Sequence, residues 1–137
     1  MRAESTRGLP AETGGVLIGH RIDNEIVVTV ATGPGPRARR TPSSFRRDGD
    51  YTQEEVDRQH EASGGRDDYV GEWHSHPDPV GPSTQDLASM RWISGNAQYV
   101  RAEPLLMILQ RVNEDWRPLA YRWSAAGLRS ARVLVDG

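Results

Sequence analysis

The chain has 137 residues, 36% of them apolar and 26% charged, enough for one domain spanning 1–137 with a modest core. Seventeen basic and nineteen acidic residues leave a net charge of −2, which argues against a nucleic-acid binder held by phosphate neutralisation. Every lysine-or-arginine position is arginine and cysteine is absent. Disulfides, thiolate metal ligands, a cysteine nucleophile, a phosphate-loop lysine and Schiff-base chemistry are thereby excluded, and any metal must sit on His, Asp and Glu.

The polar start from Met1 to Pro10 lacks a signal-peptide core, and no apolar run approaches the ~20 residues that span a bilayer. A soluble, cytoplasmic protein with no membrane partner is the expectation. Val16 to His20 and Glu25 to Thr32 read as two strands joined at the turn-prone pair Asp23-Asn24, a hairpin. Residues 33–50, with two Gly-Pro pairs and Arg37, Arg39, Arg40, Arg46 and Arg47, read as an exposed basic loop. Thr52 then caps a predicted helix that runs through Ser63 and stops at Gly64-Gly65.

A strand over Tyr69 to His76 is broken by Pro77-Asp-Pro-Val-Gly-Pro82, and Ser83 opens a helix to about Asn96. Leu105 to Val112 is nearly continuously apolar, as expected of a strand buried on both faces. Strands over Trp116 to Trp123 and Arg129 to Val135 complete the chain. This order predicts an α/β (α+β) fold, a single layer of mixed sheet flanked by helices. Tryptophans 73, 92, 116 and 123 fall at spacings that suit core packing.

The stretch from Glu72 to Asp86 carries the chemistry. Residues two apart on a strand face the same side, so His74 and His76 present two imidazoles to one point while Trp73 and Ser75 face away. Asp86 falls in the first turn of the next helix, and the short loop folds that helix back toward the strand end. Two His and one carboxylate leave one coordination position open, the pattern of catalytic zinc. Ser83 and Asp86 are equally the start of an ordinary helix, Ser as N-cap and Asp on the first-turn amides, and spacing does not separate capping from ligation. A metal-activated water also needs a base; Glu12, beside Gly14-Gly15 and the first strand, is one candidate among the acids of the chain.

Taken together, Glu12-Thr-Gly-Gly-Val-Leu-Ile-Gly19, His74-Ser-His-Pro77 and Ser83-Thr-Gln-Asp86 resemble, in that order, the motif of the JAMM or MPN+ zinc metalloproteases, in particular the compact prokaryotic JAB proteins. The resemblance covers about Pro10 to Val112 and implies the deaminase-like JAB/MPN fold. It implies that His74, His76 and Asp86 bind one Zn2+, that Glu12 is the general base, and that Ser83 helps hold the tetrahedral oxyanion. The family cleaves amide or isopeptide bonds, typically after the Gly-Gly tail of a ubiquitin-like modifier. The implied substrate is therefore a bacterial ubiquitin-like or sulfur-carrier-like protein, with conjugation enzymes as associated partners.

The sequence departs from the family in two places. Six residues separate His76 from Ser83, one fewer than is usual, which threatens the placement of Ser83 and Asp86. Only eleven residues precede Glu12, where relatives carry a fuller element, so support for Glu12 is expected to be thin. Glu72, Asp78, His60 and His20 are read as structural or solvated. A non-catalytic MPN scaffold is the alternative function, opposed by the presence of all four ligand and base positions. A zinc deaminase is opposed by the missing Cys pair.

Overall fold

The computed structural model describes residues 1–96, 103–124 and 126–134. It contains α1 (Arg2–Gly8), β1 (Gly14–Ile22), β2 (Glu25–Ala31), β3 (Arg39–Thr41), β4 (Ser44–Arg46), α2 (Gly49–Ala62) and β5 (Asp68–His76). After these come α3 (Thr84–Ser94), β6 (Leu105–Val112), β7 (Asp115–Ser124) and β8 (Gly127–Ala131). Six strands form one sheet in the order β2-β1-β5-β6-β7-β8, and β3 pairs with β4 in a separate hairpin. Only the β5–β6 pairing is parallel, as a strand–helix–strand crossover through α3 requires, so the sheet is mixed as expected.

Each face of the sheet carries its own core. Val16, Ile18, Tyr69, Leu106 and Ile108 meet Val56 of α2 and Met90 and Ile93 of α3 on one face. Leu17, Val70, Trp73, Leu105, Met107, Leu109, Trp116 and Ala120 pack on the other, where Leu9, just after α1, joins them. The alternation 16, 18 against 17 and 106, 108 against 105, 107, 109 is the period-two signal of strands covered on both sides. It leaves the His74 and His76 face of β5 on the side that α3 crosses.

Several expectations change. Helix α2 starts at Gly49 with Asp48, not Thr52, as its cap: the Asp48 carboxylate accepts the Tyr51 N–H at 3.2 Å. Thr52 lies inside the first turn, where its hydroxyl bonds back to the Asp48 carbonyl at 3.1 Å. Asp is at least as good a cap as Thr and stands four residues earlier, so it wins. The basic segment is not a bare loop. It contains the β3–β4 hairpin, and Arg37, Arg40 and Arg47 pair with Asp48 and Asp50, with Glu4, and with Glu72. Arginines whose carboxylate partners lie far away in sequence look solvated when only local pattern is read.

The last strand is β8, ending at Ala131; Val135 lies outside the described residues. Trp73 and Trp116 are core residues and Trp123 packs against the core, but Trp92 is 62% exposed on α3. Its neighbours Met90 and Ile93 already fill the sheet-facing stripe of that helix, so position 92 turns outward.

Gly14 is a steric requirement of the β1–β5 pairing, and Gly15 of the approach of the chain just after β2. Gly14 lies opposite His74, and a Cβ there would sit 2.3 Å from the Trp73 carbonyl oxygen and 2.8 Å from the His74 Cβ. At Gly15 it would meet the Thr32 carbonyl oxygen at 2.2 Å. Gly14→Ala is therefore expected to cost about 3 kcal/mol or more, read as a lowered midpoint in urea unfolding. An unchanged midpoint would mean that β1 does not approach β5 this closely in solution.

Candidate metal centre

The end of β5, the loop 77–82 and the first turn of α3 bring His74, His76 and Asp86 together. His74 Nε2 lies 3.1 Å from His76 Nε2 and 3.0 Å from Asp86 Oδ1, and His76 Nε2 lies 3.5 Å from Asp86 Oδ2. One donor atom from each residue falls within 4.8 Å of the others. Bonds of ~2.1 Å to a tetrahedral ion put neighbouring donors about 3.4 Å apart, and the spacings from His74 Nε2 to His76 Nε2 and to Asp86 Oδ1 come close to that edge. The three residues fit a zinc-sized ion, and the loop that is one residue short keeps Asp86 beside both imidazoles.

That loop also orients His76. The Nδ1 of His76 is 3.0 Å from the Val80 carbonyl oxygen. A carbonyl only accepts, so Nδ1 carries a proton and Nε2 is the ring nitrogen that faces Asp86 and His74. Burial disfavours the charged form of His76, but bonding to Asp86 and to the Val80 carbonyl outweighs it and raises the pKa. Burial likewise works against the Asp86 carboxylate, yet hydrogen bonds from His74 and His76 hold its pKa far below the ordinary range.

Of the two readings left open for Ser83 and Asp86, the fold shows the cap directly and also leaves Asp86 beside the imidazoles. Ser83 Oγ accepts the Asp86 N–H at 3.1 Å, and Asp86 Oδ2 accepts the Ser83 N–H at 2.7 Å, a complete capping box. Asp86 Oδ1 is the oxygen nearest His74. One carboxylate thus closes the helix with one oxygen and faces the imidazoles with the other. The Ser83 oxygen is used as an acceptor, which leaves its own O–H to donate elsewhere.

Glu12 lies in the segment between α1 and β1 and lines the same cleft as His74, His76, Ser83 and Asp86. Burial pushes its carboxyl above the usual range, against the pull of His76 and His74, with Asp86 adding to the rise. Its backbone N–H donates to the Thr41 carbonyl at 2.8 Å. Thr13, the next residue, is fully buried and doubly bonded to Ser75: its N–H donates to Ser75 Oγ at 2.9 Å and its carbonyl accepts the Ser75 N–H at 2.7 Å. Ser75 sits between the two histidines and points away from them, so one strand presents the imidazoles on one face and grips the Glu12 segment from the other. Support for Glu12 is thus fuller than the short leading segment suggests.

The cleft encloses about 950 Å³, with Trp73, Met90, Ile93 and Leu106 among its lining residues, and Phe45 of β4 and Trp92 of α3 as well. Glu72, read as structural, carries a two-bond pair with Arg47 at 3.0 and 3.2 Å and accepts the Tyr69 hydroxyl at 3.0 Å. It ties the base of the hairpin to β5. Asp78 lines the cleft. His20 and His60 belong to a different place: His20 Nδ1 is 2.8 Å from Asp67, and His60 Nδ1 is 3.0 Å from the Asp67 carbonyl. Arg47, Phe45 and Thr41 were missed as contributors because their partners lie some 25 to 30 residues away along the chain.

The mixed sheet flanked by helices thus brings a His-x-His strand end to face a Ser-x-x-Asp helix start. The chain belongs to the prokaryotic JAB family: the model described as "Prokaryotic homologs of the JAB domain" matches residues 1–123. It is 34% identical over 124 residues to a protein of Sinorhizobium fredii named probable metalloprotease y4qB, covering 88% of this chain and 76% of that one. It is also 34% identical to proteins of Escherichia coli and Vibrio cholerae named CD-NTase/cGAS isopeptidase, over 106 and 109 residues. The match spans 65% and 67% of the length of those two. The solution structure of protein DSY2949 from Desulfitobacterium hafniense shares the fold, with a TM-score of 0.73 at 18% identity over 98% of this chain and 84% of that one. Among the described residues no helix is long and apolar enough to cross a membrane.

Proposed function

We propose that this protein is a zinc-dependent isopeptidase or peptidase that hydrolyses the amide bond following the C-terminal tail of a conjugated protein. The class of reaction, hydrolysis of a peptide or isopeptide bond, is supported by the family and by relatives named as a metalloprotease and as isopeptidases. The observation that carries the site assignment is the convergence of His74, His76 and Asp86 at tetrahedral spacing on the cleft that Glu12 also lines.

His74 Nε2, His76 Nε2 and Asp86 Oδ1 would hold the ion. A bound Zn2+ supplies Lewis acidity, lowering the pKa of an attacking water from ~15.7 toward ~7 and polarising the scissile carbonyl. Glu12 takes the proton from the water as it attacks and delivers it to the nitrogen of the leaving amine, so that the C–N bond breaks with a neutral leaving group. Ser83 donates its O–H to the oxyanion while its oxygen remains tied to the Asp86 amide. Ser83→Ala is expected to lower kcat by about 10²–10³-fold with the metal retained. Equal activity in that variant would make Ser83 a cap and nothing more.

The substrate is proposed to be a ubiquitin-like or sulfur-carrier-like protein with a Gly-Gly tail, acting in the cytoplasm beside its conjugation enzymes. The relatives named for CD-NTase/cGAS add a second tail to try. The test is metal content per chain by elemental analysis of protein purified without a histidine tag, followed by cleavage of two fusions: a Gly-Gly-tailed ubiquitin-like protein and a CD-NTase, each joined through its C-terminus to a reporter. About one zinc and cleavage of either fusion at the junction is expected. Folded protein that binds no zinc when supplied with it would overturn the reading.

A further inference from the structure

We infer that α1 belongs to the catalytic framework and that Glu4 is a positioning residue for Glu12. The inference rests on the proposed role of Glu12 but concerns contacts that no part of the family motif contains.

Five residues form a closed ring around the base. Glu4 Oε1 accepts the Thr13 hydroxyl at 3.1 Å and also receives Arg40 Nη1 at 3.4 Å. Thr13 is bonded covalently to Glu12; the Glu12 N–H donates to the Thr41 carbonyl at 2.8 Å; and Thr41 is bonded covalently to Arg40. The ring therefore runs Glu4, Thr13, Glu12, Thr41, Arg40 and back to Glu4. It crosses three parts of the chain, α1, the lead into β1, and β3, and Glu12 is the member that also lines the cleft.

The division of labour within Glu4 separates this ring from ordinary helix stabilisation. Oε2 accepts from Arg7 at 3.1 Å, an i,i+3 pair within α1. Among the described residues Oε1 serves only the ring. The Glu4 side chain is 21% exposed and its bond to Thr13 is part-buried, so that bond meets little competition from water, while the one to Arg40 is exposed. Helix α1 is itself fixed to the sheet, since Trp116 Nε1 donates to Thr6 Oγ1 at 3.0 Å and the Leu9 side chain joins the core beside Trp116. Glu4 thus transmits a fixed position from β7 to Thr13 and to the hairpin, holding Glu12 from the side that Ser75 does not reach.

Displacing a catalytic group by about an ångström can cost about 100-fold in rate, whereas loss of one part-buried hydrogen bond alone shifts global stability only slightly. The experiment compares Glu4→Ala, Glu4→Gln, Thr13→Val and the Glu4→Ala/Thr13→Val double variant in the full chain loaded with zinc. Each is assayed on the better of the two fusions above, and the Glu12 amide is followed by hydrogen exchange in metal-free protein. Glu4→Ala and Thr13→Val should each lower kcat by about 10- to 100-fold at unchanged KM and unchanged metal content. The double variant should be no worse than the worse single, because both open the same ring. Glu4→Gln, whose side-chain oxygen can still accept from Thr13, should recover most of the loss.

Exchange of the Glu12 amide should quicken about 10-fold or more in Glu4→Ala while amides at the centre of β6 do not change. Unchanged exchange at Glu12, or a kcat that stays at the wild-type value while only thermal stability falls, would overturn the inference. The catalytic reading fails separately, if Glu12→Gln turns over as fast as wild type; the exchange measurement still decides whether Glu4 holds the segment.

Discussion

Glu12→Gln should keep its zinc and lose most of its turnover, by about 10²–10⁴-fold, the range that a positioned general acid–base contributes. Gln is nearly isosteric with Glu, and the backbone contacts that hold this segment, from Thr41 and Ser75, involve no part of the Glu12 side chain. The substitution therefore removes the proton transfers and little else. The half-buried cleft makes the expectation sharper, because burial raises the affinity of the Glu12 carboxyl for a proton, as a base near neutral pH requires. Metal content measured beside kcat gives the decisive pair of numbers. Undiminished turnover would transfer the base role to another acid of the cleft, while loss of zinc would make Glu12 a ligand.

Asp86→Ala should remove metal and activity together and also loosen α3. Loss of even an outer-shell partner weakens metal binding by about 10–100-fold, so loss of the third ligand is expected to exceed ~100-fold. The carboxylate has a second duty in accepting the Ser83 N–H, so the metal-free protein should also lose about 1 kcal/mol of stability. Ser83→Ala provides the comparison: it removes the cap hydroxyl and should keep the metal. If Asp86→Ala kept its zinc while losing that stability, Asp86 would be a cap alone. If it lost zinc with no change in the metal-free unfolding midpoint, the second bond would contribute nothing measurable.

The other glutamates and aspartates of the chain show why a sequence points to some site residues more firmly than to others. His74 and His76 are two apart on a strand, so local geometry puts them on one face, and Asp86 is three from a capping serine, which places it in the first turn of the next helix. Glu12 is different. Nothing within a few residues of it selects it from the other acids of the chain, and only the resemblance to a motif that resumes at His74 singles it out. Trp92 marks the limit in the other direction: an indole on a helix reads as core, but which stripe of the helix meets the sheet depends on where that helix lands, and here the stripe was already filled by Met90 and Ile93.

What the sequence by itself determined is the set of elements whose signals are local. These are the hairpin at Asp23-Asn24, the doubly buried β6, the glycine stop after α2, and the strand–proline loop–helix unit that carries His74, His76, Ser83 and Asp86. Only the tertiary structure decided how Glu12 is held, because every bond that fixes it comes from residues distant along the chain. Thr41 and Ser75 bond its segment directly, Glu4 and Arg40 close the ring, and Arg47 anchors the hairpin to Glu72. Pattern within a short window encodes periodicity and caps, whereas an arginine acquires its meaning from a carboxylate that only folding brings within 3 to 4 Å.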